Sequence, residues 1–277
     1  MNLAEILAWT AQEAGCDEVP ADSQVYLEAP GDVRRVLVGV DIGVEELLVA
    51  RDLGVDAVIA HHPMGDRAVL DFARVVERQV AQMAAEGIDE ATSRAALALR
   101  MGPRERGVHM ANVNRVVDTG RLIGIPFCNV HLACDIVARQ VVVDTLQSHD
   151  HAEATVADAE GWLRDIPEIA AAPSGPETWL GRGDSQLGRW TVAMAGGTNG
   201  GHPVFREYFR AGVDTVFAMH IAEGDLQLLR AEAAPESSLV VTGHMGTDSV
   251  GINWMVRGLR ERGVEVVCTS GVIGRPS

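Results

Sequence analysis

The sequence contains no lysine: every one of its 23 Lys+Arg residues is an arginine, set against 39 acidic residues for a formal net charge of −16. So acidic a chain repels nucleic-acid phosphates and the anionic face of a membrane, which argues against both as general partners. Aromatic side chains are scarce, at 4%, while 47% of residues are hydrophobic, so the core must be built mostly of Val, Leu, Ile and Ala. The four cysteines, Cys16, Cys128, Cys134 and Cys268, form no CxxC pair. That spacing suits neither a zinc knuckle nor a dense disulfide framework, and reduced thiols are expected. No apolar run approaches the roughly 20 residues that span a bilayer. The opening "MNLAEILAWTAQEAGCDEV" has no basic stretch and carries acids early, unlike a secretory signal. The expectation is a soluble cytoplasmic protein of 277 residues, long enough for one large or two ordinary domains.

What is present is an alternation of strand and helix. Residues 2–14 carry Leu3, Ile6, Leu7 and Ala14 on one helical face. "RRVLVGVDI" (34–42) reads as a buried strand, "VEELLVARDLG" (44–54) as a helix stopping at Gly54, and "DAVIAHHP" as the next strand. Strand, helix, strand in this span is a βαβ unit and predicts a parallel sheet. The pattern returns at 188–221, where "GVDTVFAMHI" (212–221) aligns with "GVDAVIAHHP" (54–63) and His220 falls opposite His62. Two related α/β halves follow. Between them, 68–106 reads as two helices, one ending at Gly87 and one stopping near Gly102-Pro103. The expected domains are an N-terminal α/β half over 1–147 with that helical elaboration at 68–106, and a connector over 148–187 with one short helix. A C-terminal α/β half over 188–277 completes the chain, with 237–277 available to complete the first sheet.

Four strand exits carry groups able to bind metal: His61 and His62; His131 with Asp135 four residues on; His244 with Asp248 four residues on; and His220. In parallel α/β sheets the loops at the carboxyl ends of strands form the ligand crevice, so these groups converge if the strands are parallel. Imidazole and carboxylate donors suit Zn, Mn, Fe, Co or Ni. Three histidines and two carboxylates exceed one tetrahedral site with an open position and match two ions about 3.5–4 Å apart. Taken alone, the His61-His62 pair fits hydrogen-bonded strand-end histidines as well as ligands. His109, His149, His151 and His202 read as ordinary surface or hydrogen-bonded residues. "AGGTNGG" (195–201) reads either as a permissive turn or as an anion cradle, with Arg182 and Arg189 as phosphate contacts.

The blocks "DAVIAHHP", "NVHLACD" and "TGHMGTDSVGIN" resemble the signature blocks of the NIF3-like family, also called the GTP cyclohydrolase 1 type 2 homologue family. "GRGDSQLG" and "AMAGGTNGG" resemble its glycine-rich segments more loosely. The resemblance implies two similar three-layer α/β domains with a dinuclear centre of divalent transition-metal ions in the cleft between them. It places His61, His62, Asp135, His244 and Asp248 on the metal ligands and His131 beside the acidic ligand as a supporting residue. It pairs His62 with Asp135 on one ion and His61 with His244 on the other, with Asp248 as the bridge. The bridging position is usually Glu, so Asp248 is one methylene short. His220 and Glu223 lie where the chain departs from the family pattern, as supporting groups or a general base, with a solvated helix-start acid the plainer reading of Glu223. The resemblance also implies a homo-oligomer, a ring-shaped hexamer. Two functions follow from these residues. One is a metal-dependent hydrolase of a small molecule, phosphorylated or not: a nucleotide, a phosphoester or a cyclic amide. The other is a non-catalytic metal-binding scaffold, regulatory or metal-delivery protein.

Overall fold

A computed structural model describes residues 1–274; the last residues assigned above to the C-terminal half, 275–277, lie outside the described residues. The chain runs through α1 (Leu3–Glu13), β1 (Gln24–Leu27), β2 (Arg35–Gly39), α2 (Val44–Leu53) and β3 (Ala57–Ala60). Short helices α3 (Asp66–Leu70), α4 (Ala73–Val76) and α5 (Arg78–Ala85) precede the long α6 (Glu90–Met110). Then come α7 (Arg115–Ile123), β4 (Phe127–Asn129), α8 (Leu132–Gln147), α9 (Val156–Leu163), α10 (Pro167–Ala170), β5 (Glu177–Leu180) and β6 (Trp190–Val192). The remainder is α11 (Gly201–Arg210), β7 (Thr215–Ala218), α12 (Glu223–Glu232), β8 (Ser238–Val241), α13 (His244–Glu261) and β9 (Glu265–Thr269).

The elements sort into two units. The first comprises Met1–Val75, Val108–Ala138 and the chain from Asp248 on. Its sheet has the order β1-β4-β3-β2-β9, in which β4, β3, β2 and β9 are parallel and β1 is an antiparallel edge. Leu37, Val58, Ala60 and Phe127 pack on Leu47, Ala50 and Val117 from the helices α2 and α7. Val36, Val38, Ala57 and Ile59 alternate with them and are equally buried, as a parallel sheet covered on both faces requires. α2 stops at Gly54, whose φ of 65° is a left-handed cap that a Cβ would strain. That turn delivers the chain into β3.

The second unit, Val76–Gly107 with Arg139–Thr247, has the sheet order β5-β8-β7-β6, again with three parallel strands and an antiparallel edge. The strand path of the first unit, β2-β3-β4 with β1 on the edge, is thus repeated as β6-β7-β8 with β5. The repeated Gly-Val-Asp explains itself in both. Asp56 accepts the backbone N–H groups of Arg34 and Arg35 at 2.7 and 2.8 Å. Asp214 accepts that of Arg189 at 2.7 Å. Each carboxylate ties the start of one parallel strand to the start of its neighbour.

Three expectations are corrected. The segment 148–187 is not a connector with one helix: it holds α9, α10 and the edge strand β5. Thr155 and Asp158 form a capping box that starts α9, and Val156, Ala159 and Leu163 bury its inner face. One-sided edge elements dilute the apolar signal, so the segment reads as loop. Second, α6 continues through Pro103 to Met110. Pro103 is exposed, and the buried stripe Ser93, Ala96, Leu97 and Met101 holds the helix against the loss of one backbone bond. Third, most of the elaboration does not belong to the first half: residues 68–75 stay with the first unit, but 76–107 cluster with the second. There Gln79 donates to the carbonyls of Gly196 and Thr198, and Gln82 to that of Met194. Of the segment 237–277, only β9 joins the first sheet; β8 lies in the second.

Candidate metal centre

The site in the first unit grows from the carboxyl ends of three adjacent parallel strands. Past β3 the ladder continues for two residues, with His61 N–H donating to Gly39 O at 2.9 Å and His62 N–H to Val40 O at 3.1 Å. Both imidazoles are therefore fixed to the sheet by their own backbone. Pro63 has no N–H to extend the ladder further. His131 follows β4, where Val130 N–H donates to Ala60 O at 2.9 Å, and Asp135 lies one turn later in the first turn of α8. Asp248 comes from α13. Gly251 lets α13 approach α8, because a Cβ there would stand 2.1 Å from the carbonyl oxygen of Cys134.

These residues alternate imidazole and carboxylate. His131 Nε2 is 3.7 Å from Asp135 Oδ2, and Asp135 Oδ1 is 3.3 Å from His61 Nε2. His61 Nε2 is in turn 3.8 Å from Asp248 Oδ1, while Asp248 Oδ2 is 3.3 Å from His62 Nε2. His61, His131, Asp135 and Asp248 are buried; the side chain of His62 is 24% exposed. Burial opposes a charge on His61, but the Asp248 and Asp135 carboxylates outweigh it and hold its pKa well above the usual imidazole value. His62 is raised too: burial opposes, and the contacts with Asp248 and Asp41 prevail. Burial pushes the Asp135 carboxyl up, but His131 and His61 more than offset it, leaving it below the usual range.

A solved structure of high similarity decides the family. The crystal structure of a NIF3 superfamily protein from Sphaerobacter thermophilus is 41% identical to the chain over 98% of both, with a TM-score of 0.94. The chain belongs to the NIF3 superfamily. Its fold is shared with reduced HcgD from Methanocaldococcus jannaschii (11% identity, 97% of each chain, TM-score 0.58). A Bacillus cereus protein related to NIF3 is alike in fold as well (11% identity, 97% of this chain and 96% of that one, TM-score 0.51). No family model and no curated protein matches the chain.

The donor set of this NIF3 chain fits metal ions on three counts. First, each imidazole has its Nδ1 on a group that can only accept: Val130 O at 3.0 Å for His61, Asp41 Oδ1 at 2.7 Å for His62, Asp22 Oδ2 at 2.7 Å for His131. In the neutral ring the proton then sits on Nδ1 and the lone pair on Nε2, the arrangement of metal-ligating histidines. Second, His61 Nε2 and Asp135 Oδ1 are buried without a hydrogen bond although only 3.3 Å apart. Third, that spacing is an edge of a coordination polyhedron: two donors about 2.1 Å from one ion at the tetrahedral angle are about 3.4 Å apart. Clusters of ligand-capable atoms within 4.8 Å of one another include His61, His62 and His131, and His61, Asp135 and Asp248.

The resemblance pairs His62 with Asp135; Asp135 Oδ1 lies 3.3 Å from His61 Nε2, and His62 Nε2 lies 3.3 Å from Asp248 Oδ2. His131 stands among the ligand-capable atoms, not merely beside them. Asp248, though shorter than Glu, presents one oxygen to each of His61 and His62. His244 belongs to the second unit and opens the helix that carries Asp248 one turn on; its ring centroid is 4.3 Å from that of His220. Glu223 is an exposed helix-start acid that accepts from Gln227. Arg182 pairs with Asp184, and Arg189 with Glu86, Ala211 O and, through its backbone N–H, Asp214, all within the second unit. Sequence reasoning missed Asp22 and Asp41. Asp41 follows β2, a strand exit like those that flagged the histidines. Asp22 precedes the edge strand and carries no such mark.

Proposed function

We propose that this chain holds two divalent transition-metal ions and uses them to hydrolyse a small molecule. The carrying observation is the alternation His131–Asp135–His61–Asp248–His62, with three Nε2 atoms turned toward the two carboxylates between them. On this reading His61 and Asp135 belong to one ion, with His131 at its edge, and His62 to the other. Asp248 bridges, and His244, on the same helix face one turn earlier, completes the second ion. Two such ions, when bound, generate a nucleophilic hydroxide near neutral pH and stabilise the charge that develops on the substrate. His62 supplies the access: it borders a cavity of about 370 Å³ in the first unit, lined also by Asp41, Gly43, Glu46, Met64 and Arg115. That volume suits a small molecule. Nucleotides, phosphoesters and cyclic amides remain the substrate classes, in a cytoplasmic homo-oligomer of the hexameric kind. No helix among the described residues is long and apolar enough to cross a membrane.

The test is elemental analysis of protein never exposed to chelator, beside turnover of GTP, bis(4-nitrophenyl) phosphate and dihydrouracil, with Asp248→Ala as the control. The proposal expects two metals per chain, metal-dependent turnover of one probe, and loss of both metal and turnover in the variant. Fewer than one metal per chain overturns the dinuclear reading. Two metals without turnover of any probe overturn the hydrolase and leave the scaffold.

A further inference from the structure

The chain that leaves His62 is seated on the start of α7, both within the first unit. Met64 N–H donates to the Tyr26 hydroxyl at 3.0 Å. A Cβ on Gly65 would stand 2.3 Å from Val113 O, so the two backbones meet there. Asp66 takes a φ of 52°, a left-handed conformation that costs free energy for any residue with a side chain. It is held in it from two sides. Its N–H donates to Asn114 Oδ1 at 2.8 Å, and its carboxylate accepts from Arg121 at 2.9 Å and from Gln24 at 3.3 Å. Such strain persists only where the surroundings over-determine it, and it collects at functional sites. What this clamp fixes is Arg115, the first residue of α7, against the same cavity that His62 borders.

Among the described residues that line this cavity Arg115 is the one guanidinium, and among the described residues its side chain has neither a salt bridge nor a hydrogen bond. The carboxylates of the wall are already engaged. Asp41 accepts from His62 Nδ1 at 2.7 Å, and Glu46 from Gly43 N–H at 2.7 Å. Glu45 and Glu46 lie in the first turn of α2, where the positive end of the helix dipole balances acids. We infer that Arg115 anchors the substrate by one compact oxyanion, a carboxylate or a single phosphate set apart from the bond that is cleaved. A guanidinium meets such a group through two parallel N–H bonds. The three carboxylates of the same wall oppose a polyanion, which excludes a triphosphate. Of the substrate classes this selects a carboxylated cyclic amide or a nucleoside monophosphate over a nucleoside triphosphate. The assignment rests on the proposed hydrolysis for what the cavity serves; the anion contact itself does not.

The experiment is isothermal titration of the full chain, never exposed to chelator and with its metal counted, against two matched pairs of probes. Dihydrouracil is set against dihydroorotate, which adds one carboxylate to the same ring, and guanosine against guanosine monophosphate, with GTP beside them. In at least one pair the anionic member is expected to bind about tenfold tighter than the neutral one, and the pair that shows it tells carboxylate from phosphate. Arg115→Ala, at an exposed side chain, should reduce that preference to within about twofold, with the neutral member and the metal content unchanged. Arg115→Glu should reverse it. GTP should bind no tighter than the monophosphate. Absence of a preference in both pairs overturns the inference. A preference that survives Arg115→Ala does so too, since the metals would then be the anion's partner. Loss of metal or of the neutral member in Arg115→Ala would make the residue structural and likewise overturn it. GTP bound about tenfold tighter than the monophosphate overturns the limit to one oxyanion. If the unaltered protein turns over no probe, the hydrolase reading falls, while these affinities still decide the role of Arg115.

Discussion

Asp22 shows how much of the centre is set by residues that would never touch a metal. Its carboxylate is fully buried and accepts from His131 Nδ1 at 2.7 Å, while its backbone carbonyl accepts from Asn129 Nδ2 at 2.7 Å. The ring of His131 is thereby aimed before any ion arrives. Asp22→Asn keeps the shape and removes the charge, so metal affinity should fall about 10-fold or more while the fold persists; chelator competition measures it, and unchanged affinity would leave His131 outside the ligand set. The same residues predict a pH response of opposite sign with and without metal. His61 and His62 have folded pKa values raised above the ordinary imidazole value of about 6.5. Their contribution to the metal-free fold is therefore complete below about pH 6.5 and is lost as pH rises through the folded values. Asp135, with its value depressed, contributes above the ordinary carboxylate range and loses that as pH falls through the folded value. Metal binding needs the imidazoles neutral and so releases protons. From pH 6 to pH 9, Tm should fall in chelator-treated protein and rise in protein with metal in fixed moderate excess. Parallel curves from thermal melts would contradict this.

Among the elements, α13 and α8 decide whether the carboxylates can meet the histidines, and the decision rests on Gly251. A methyl group there would lie 2.1 Å from Cys134 O, a backbone atom that no side-chain rotation can clear. Gly251→Ala should cost about 1–3 kcal/mol and, by moving Asp248 away from Asp135 and His61, reduce the metal count well before the fold is lost; a denaturant midpoint and elemental analysis separate the two. None of this was legible in the sequence, where Gly251 is one glycine of 29 and nothing marks the carbonyl it must pass. The ligand-bearing exits were legible because each couples a strongly apolar strand to a polar residue at its carboxyl end: Ala57–Ala60 before His61, Phe127–Asn129 before His131, Ser238–Val241 before His244. Asp22 was not legible, since its partner is 109 residues away and it precedes an edge strand with only Tyr26 buried. Helix α6 was misread at Pro103 because local backbone chemistry argues for a stop there, while the tertiary burial of Leu97 and Met101 carries the helix on.

At the scale of the whole molecule the duplication was legible as "GVDAVIA" against "GVDTVFA", and the order β1-β4-β3-β2 returns as β5-β8-β7-β6, with β9 added only to the first sheet. What the repeat conserves and what it varies separate cleanly. The conserved aspartate joins neighbouring parallel strands in both units, a structural duty that any such sheet needs. The group behind the strand-end histidine varies, Asp41 in one unit and Asn199 in the other. The structural half can be tested independently of any metal. Asp56 serves two backbone donors and Asp214 one through its side chain, all at exposed sites where such bonds are worth about 1 kcal/mol each. Asp56→Ala should therefore lower unfolding free energy by about 2 kcal/mol and Asp214→Ala by about 1 kcal/mol. Because the two lie in separate sheets with no shared partner, the double variant should lose about their sum. Chemical denaturation measures all three, and Asp214→Ala proving the costlier, or the pair departing far from additivity, would mean that the carboxylates do not play the same part in each unit.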